Sequence, residues 1–85
     1  MTSESWSGRM KNHNKAFGKA LRSLRRARGY TQETLAFAAG LDRTYISLLE
    51  LGSRSPTLDT IVALCGTLDV TLSEIAAAIE TELNA

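Results

Sequence analysis

The chain has too few cysteines and histidines to build a metal cluster or a disulfide. Cys65 is the only cysteine and His13 the only histidine among its 85 residues. An internal disulfide is therefore impossible, and zinc sites made of several Cys and His ligands are excluded. The same scarcity, with no convergent pair of carboxylates, leaves no nucleophile and base for an active site. The sequence thus predicts a protein that is not an enzyme and that binds no metal or other cofactor.

Long hydrophobic runs are also missing. No stretch approaches the roughly 18 uninterrupted apolar residues of a membrane span, and residues 1–10 lack the apolar core of a signal peptide. The composition, with 44% hydrophobic and 22% charged residues, is that of a chain that folds around a core. We therefore expect one small domain in the cytoplasm, with no contact to a membrane and no room for a domain that binds a small-molecule effector.

Charge is scarce in the total and abundant in each half. The net charge is only +1, but residues 9–43 contain nine basic and two acidic side chains, a net charge of +7. Residues 44–85 contain one basic and six acidic side chains, a net charge of −5. A polyanion would meet a basic surface in the first half and be repelled by the second.

The apolar spacing predicts five helices and no strand, so the fold class is all-α. Residues 1–14 show no sustained periodicity and are predicted to be a flexible N-terminal arm, whereas residues 15–85 form the folded domain. A first helix begins at about Lys15 and ends before Gly29, and Thr31 caps a second helix that starts at about Gln32. Thr57 caps a fourth helix, and Thr71 with Glu74 has the capping-box spacing of a fifth.

The second and third helices are short and separated by Ala39-Gly40-Leu41-Asp42, which is the spacing of a helix-turn-helix unit. Asp42 is suited to cap the third helix, which runs from Arg43 to about Leu51. A helix held out from the body in this way fits the major groove of B-DNA, where its N-terminal side chains meet base edges.

The sequence resembles the Cro-type (Xre) helix-turn-helix family of phage repressors and bacterial regulators over about residues 16–75. The likeness is carried by the following segments: Leu24-Arg25, Gly29-Tyr30-Thr31-Gln32, Leu35-Ala36, Gly40-Leu41, Tyr45-Ile46-Ser47, Leu49-Glu50, Gly52, Arg54, Pro56-Thr57-Leu58 and Leu68-Asp69-Val70. Within the family, residues 41–47 are similar to the recognition segment of restriction-modification controller proteins. The resemblance implies a phage-repressor-like five-helix bundle that binds double-stranded DNA and regulates transcription. It also implies a protein of bacterial or phage origin that acts in the cytoplasm, at the nucleoid.

The resemblance also implies roles for individual residues. Base contacts are expected from Arg43, Thr44, Ser47 and Leu48. Phosphate contacts are expected from Thr31, Gln32, Tyr45, Arg54 and Ser55, although Tyr45 adjoins the apolar Ile46 and is equally well explained as a core aromatic. Arg25 and Glu50 correspond to a structural ion pair between the first helix and the end of the recognition helix.

The fifth helix has an apolar stripe that is longer than a core of this size needs. We expect its members to form the interface of a homodimer that binds a roughly palindromic operator: Leu72, Ile75, Ile79 and Leu83. One alternative stays open, because the acidic C-terminal half could instead bind a protein partner, as in a protein-interaction module or an antitoxin.

Overall fold

The computed structural model describes residues 12–85, which form five α-helices and contain no strand. We number them α1 (His13–Ala27), α2 (Gln32–Ala39), α3 (Arg43–Leu51), α4 (Leu58–Leu68) and α5 (Leu72–Leu83). The all-α fold class expected from the sequence is confirmed. Most of the predicted arm, residues 1–11, lies outside the described residues. Its last residues belong to α1 instead, since that helix begins at His13 and not at Lys15.

The helix starts follow from local capping. The Thr31 hydroxyl accepts a hydrogen bond from the Thr34 backbone N–H at 3.0 Å, and the Thr71 hydroxyl accepts one from Glu74 N–H at the same distance. The Glu74 carboxylate accepts in return from Thr71 N–H, and these bonds hold the pKa of Glu74 below its usual value. Asp42 is the N-cap of α3, as expected, but its side chain makes no capping bond.

The turn between α2 and α3 depends on Gly40, whose φ of +70° lies in the left-handed region. This geometry ends α2 at Ala39, and the chain then re-enters a helix at Arg43 after only three residues. α2 and α3 pack directly against one another, as the sequence spacing predicted.

All five helices contribute to one core. Its largest buried side chains are Leu21, Leu35, Ile46, Leu49, Leu64, Leu68 and Ile75. α1 packs against both α3 and α5, and these two contacts are the most extensive between helices. Burial of each such side chain stabilises the fold by about 1.5–3 kcal/mol.

The length and apolar composition of the helices show whether any of them could cross a membrane. No single helix in residues 12–85 is long and apolar enough to cross a membrane. Only α4 and α5 taken together reach that length and composition, and they are bent by 104° at the break between them.

Candidate nucleic-acid interface

The C-terminal end of α3 is held by a buried ion pair. Arg25 Nε donates to Glu50 Oε2 at 2.6 Å, and Arg25 Nη2 donates to Glu50 Oε1 at 3.0 Å. The two side chains are only 10% and 4% exposed, and the hydrogen bond to Glu50 raises the pKa of Arg25. A third bond, from Arg25 Nη1 to the Tyr30 carbonyl, ties the end of α1 to the same place. The structure thus brings together the pair that the resemblance implied.

Gln32 adds a second connection to this end of α3. Its Nε2 donates to Glu50 Oε1 at 3.1 Å, so the first residue of α2 is joined to the last turn of α3. The predicted contact of Gln32 with phosphate stays a prediction. Thr31 is exposed and its hydroxyl already caps α2, so its contact with phosphate also stays a prediction.

The opposite end of α3 faces solvent. Arg43 and Thr44 are exposed in its first turn, and Ser47 and Leu48 are half-buried one turn later. Within residues 12–85 Arg43 has no hydrogen bond or ion pair. An open polar concavity of about 500 Å³ lies beside it, lined by Arg25, Tyr30, Thr31, Gln32, Glu33 and Arg43. The first turn of α3 is therefore available for contact with another molecule.

The remaining predicted phosphate ligands differ in their surroundings. Arg54 and Ser55 are exposed in the loop between α3 and α4. The Tyr45 hydroxyl lies 3.3 Å from the Thr60 hydroxyl, and Thr60 is buried. Tyr45 therefore connects α3 to α4 within the fold, and its predicted contact with phosphate stays a prediction.

The predicted dimer stripe is wrong at Ile75. This side chain is only 2% exposed and belongs to the core of its own chain, because α5 turns it towards the other helices. Leu72 is 51% exposed, whereas Ile79 and Leu83 are half-buried and Ile79 packs against the core. Of the four predicted residues, only Leu72, Ile79 and Leu83 therefore have exposed surface that a second chain could cover.

Sequence reasoning missed the roles of Gly18 and Arg28. A Cβ on Gly18 would lie 2.5 Å from the backbone oxygens of Leu49 and Glu50, so the glycine lets α1 approach the end of α3. Arg28 donates from Nε to the Leu68 carbonyl at 2.8 Å and from Nη2 to the Asp69 carbonyl at 3.2 Å. A glycine inside a helix was itself a signal, since it costs about 1 kcal/mol relative to alanine.

Together these features define a class of protein: a small all-helical domain whose helix-turn-helix unit is anchored at one end of its second helix and exposed at the other. A helix-turn-helix family model matches residues 21–75. The chain belongs to this Cro-type (Xre) helix-turn-helix family, as the resemblance predicted.

Similar proteins include several controllers. Control protein C.MunI from Mycoplasma sp. is 39% identical over 67 residues, which cover 78% of this chain and 90% of that protein. The crystal structure of the restriction-modification controller protein C.AhdI from Aeromonas hydrophila has 45% identity and a TM-score of 0.71, and the match covers 73% of this chain and 94% of C.AhdI. The controller protein C.Esp1396I, solved as a tetramer in complex with its natural 35-base-pair operator, has 29% identity and a TM-score of 0.79. That match covers 86% of this chain and 96% of C.Esp1396I.

Proposed function

We propose that the protein is a sequence-specific transcriptional regulator that inserts α3 into the major groove of double-stranded DNA. The observation that carries this proposal is the exposed, unpaired Arg43 in the first turn of a helix whose other end is fixed by Arg25 and Glu50. An arginine in that position can donate two hydrogen bonds to one guanine. The operator complex of the similar C.Esp1396I supports the same partner for this chain.

The side chains divide into two groups by what they would contact. Arg43, Thr44, Ser47 and Leu48 face the bases, where Leu48 suits a thymine methyl group. The phosphate contacts come from Thr31, Gln32, Tyr45, Arg54 and Ser55, which fix the position of the helix without reading sequence. Because DNA is the partner, we also propose that the protein acts in the cytoplasm, at the nucleoid.

The regulator acts as a homodimer through α5. One recognition helix contacts few bases, whereas two related by a two-fold axis would lie about 34 Å apart and read two half-sites on one face of the duplex. The operator is then roughly palindromic. The exposed Leu72 and the half-buried Ile79 and Leu83 supply the apolar surface for this contact.

The test compares Arg43→Ala with Arg54→Ala, after the preferred site has been obtained by selection from random DNA. We expect Arg43→Ala to reduce the ratio of specific to competitor affinity, because a bidentate base contact is worth about 1–3 kcal/mol of discrimination. Arg54→Ala should weaken both affinities to the same extent, since a phosphate contact carries no sequence information. Both affinities are measured at one salt concentration by fluorescence anisotropy.

An unchanged ratio for Arg43→Ala would remove Arg43 from the base-reading set. If the wild-type protein selected no sequence and instead formed a stable complex with another protein, the alternative of a protein-interaction module or antitoxin would replace the proposal.

A further inference from the structure

The outer surface of α1 carries a row of basic side chains, Lys15, Lys19, Arg22 and Arg26. Their spacings of four, three and four residues place them on one face of the helix, and all four are exposed. Within residues 12–85 none of them forms an ion pair or a hydrogen bond. No carboxylate therefore pairs with them directly, although Lys15 and Lys19 line one concavity together with Glu82 of α5. We call these four residues the α1 basic row.

Two other arginines of the same region differ from this row. Arg25 is paired with Glu50, and Arg28 donates to the carbonyls of Leu68 and Asp69 at the end of α4. Those two side chains therefore have structural partners. Among the basic side chains of residues 12–43, those without an ion pair or hydrogen bond are the four of the α1 basic row and Arg43 on α3.

The α1 basic row lies beside the last turn of α3. A Cβ on Gly52, the residue that ends α3, would come within 3.0 Å of Lys15 Cα. Gly18 lies against the carbonyls of Leu49 and Glu50, and Arg22 follows it by about one turn on the same side of α1. Gly52 leads into the loop of Arg54 and Ser55, so the row adjoins the phosphate contacts proposed for that loop, at the end of α3 opposite Arg43.

We propose that the α1 basic row binds phosphates of the DNA backbone outside the bases that α3 reads. This inference rests on the proposed function. The row extends over eleven residue steps, about 16 Å of helix, which equals the axial rise of about five phosphates on one strand, so its four side chains have room to bind separate phosphates. The phosphate backbone continues past any recognised half-site. The same DNA molecule therefore supplies the phosphates that the α1 basic row binds.

The row acts through release of counterions from the DNA, so its contribution is seen in the salt dependence of binding. Each phosphate that a basic side chain neutralises adds about 0.9 to the steepness of the salt dependence of binding. Such contacts strengthen specific and non-specific binding alike, because they carry no sequence information. The row raises affinity and leaves the choice of operator to α3.

The test uses Arg22→Gln/Arg26→Gln, which removes two positive charges from the row. Because each chain of the dimer loses two contacts, the slope of log K against log salt for dimer binding should become less steep by about 3.6, with the ratio of specific to competitor affinity unchanged. A matched control is Ser73→Glu/Ala77→Glu, which changes the net charge by the same amount at exposed positions of α5. The control should keep the wild-type slope. Thermal melting and light scattering verify that both variants fold and associate like the wild type.

A second experiment varies the length of the DNA duplex. On DNA that ends at the outer edge of the selected palindrome, the wild-type slope should fall towards that of Arg22→Gln/Arg26→Gln. About five additional base pairs on each side should restore the difference. A slope that is the same in the wild type and the Arg22/Arg26 variant on long DNA would overturn the inference, as would an equal loss in the α5 control. Failure of the proposed function is distinct, because the wild-type protein would then show no sequence preference on any duplex.

Discussion

At the scale of single residues, Gly18 decides how closely α1 and α3 approach. An alanine there would bring its Cβ to 2.5 Å from two backbone oxygens that belong to α3 and cannot rotate away. We expect Gly18→Ala to lower the free energy of unfolding by about 1–3 kcal/mol, the usual cost of overpacking. Chemical denaturation followed by circular dichroism measures the change.

Gly66 is the matched control for this substitution. It is an exposed glycine inside α4, and a Cβ there would have no neighbour within 4 Å. Gly66→Ala should raise the free energy of unfolding by about 0.5–1 kcal/mol, because alanine has the better helix propensity. If both variants were stabilised, the close approach of α1 and α3 would not require a glycine at position 18.

At the scale of helices, Glu50 joins three of them. Its carboxylate accepts from Arg25 at the end of α1 and from Gln32 at the start of α2, while its backbone belongs to α3. We expect Glu50→Ala to destabilise the protein by about 3–5 kcal/mol, because Arg25 would remain buried without its counter-charge. The melting temperature of the variant measures the loss, and the operator sequence chosen by any folded fraction should be that of the wild type.

Glu33 is the comparison for Glu50, since it is an exposed glutamate in the first turn of α2. Glu33→Ala should cost less than about 1 kcal/mol, the usual contribution of a charge near a helix end. A shift in operator preference for Glu50→Ala, at unchanged melting temperature, would contradict the structural role of the ion pair.

The helices were predictable from sequence because their ends carry local chemical signals. Thr31, Thr57 and Thr71 are N-caps in the structure, and each was predicted as a cap, Thr71 from its capping-box spacing with Glu74. Asp69 gave no comparable signal, although it ends α4 in the left-handed conformation with φ of +56°. This position normally favours glycine, so the sequence does not indicate that the chain takes this conformation at Asp69.

Long-range packing was less accessible from the sequence than helix ends. Periodicity placed Ile75 on an apolar face of α5 but could not show how much of that face the chain itself covers, and Ile75 proved to be core. The partners of Arg28 lie 40 and 41 residues away, so the sequence could not show that this exposed side chain bonds to the end of α4. The Arg25–Glu50 pair, whose members are 25 residues apart, was anticipated only through the family resemblance.

At the scale of the whole molecule, association through α5 can be tested without disturbing the core. Leu72→Glu places a charge on a side chain that is 51% exposed, in the first turn of α5 where a carboxylate is compatible with the helix dipole. We expect this variant to be monomeric by light scattering at concentrations where the wild type is dimeric. Its melting at low protein concentration should match that of the wild-type chain.

Val62 offers a control of equal exposure on a different helix, since it is also 51% exposed and lies on α4. Val62→Glu should leave the dimer intact. A dimer that survived Leu72→Glu and was split by Val62→Glu would move the interface from α5 to α4.

The separation between the two ends of α3 has a consequence for how such a protein changes over generations. The groups that hold the helix gather at Glu50, whereas Arg43 and Thr44 have no bonded partner side chain in residues 12–85. Substitutions at those two positions therefore carry almost no penalty in folding. Given the base contacts proposed for them, exchange of these two residues would change the target sequence on an unchanged scaffold, so divergence in specificity is expected to run ahead of divergence in structure.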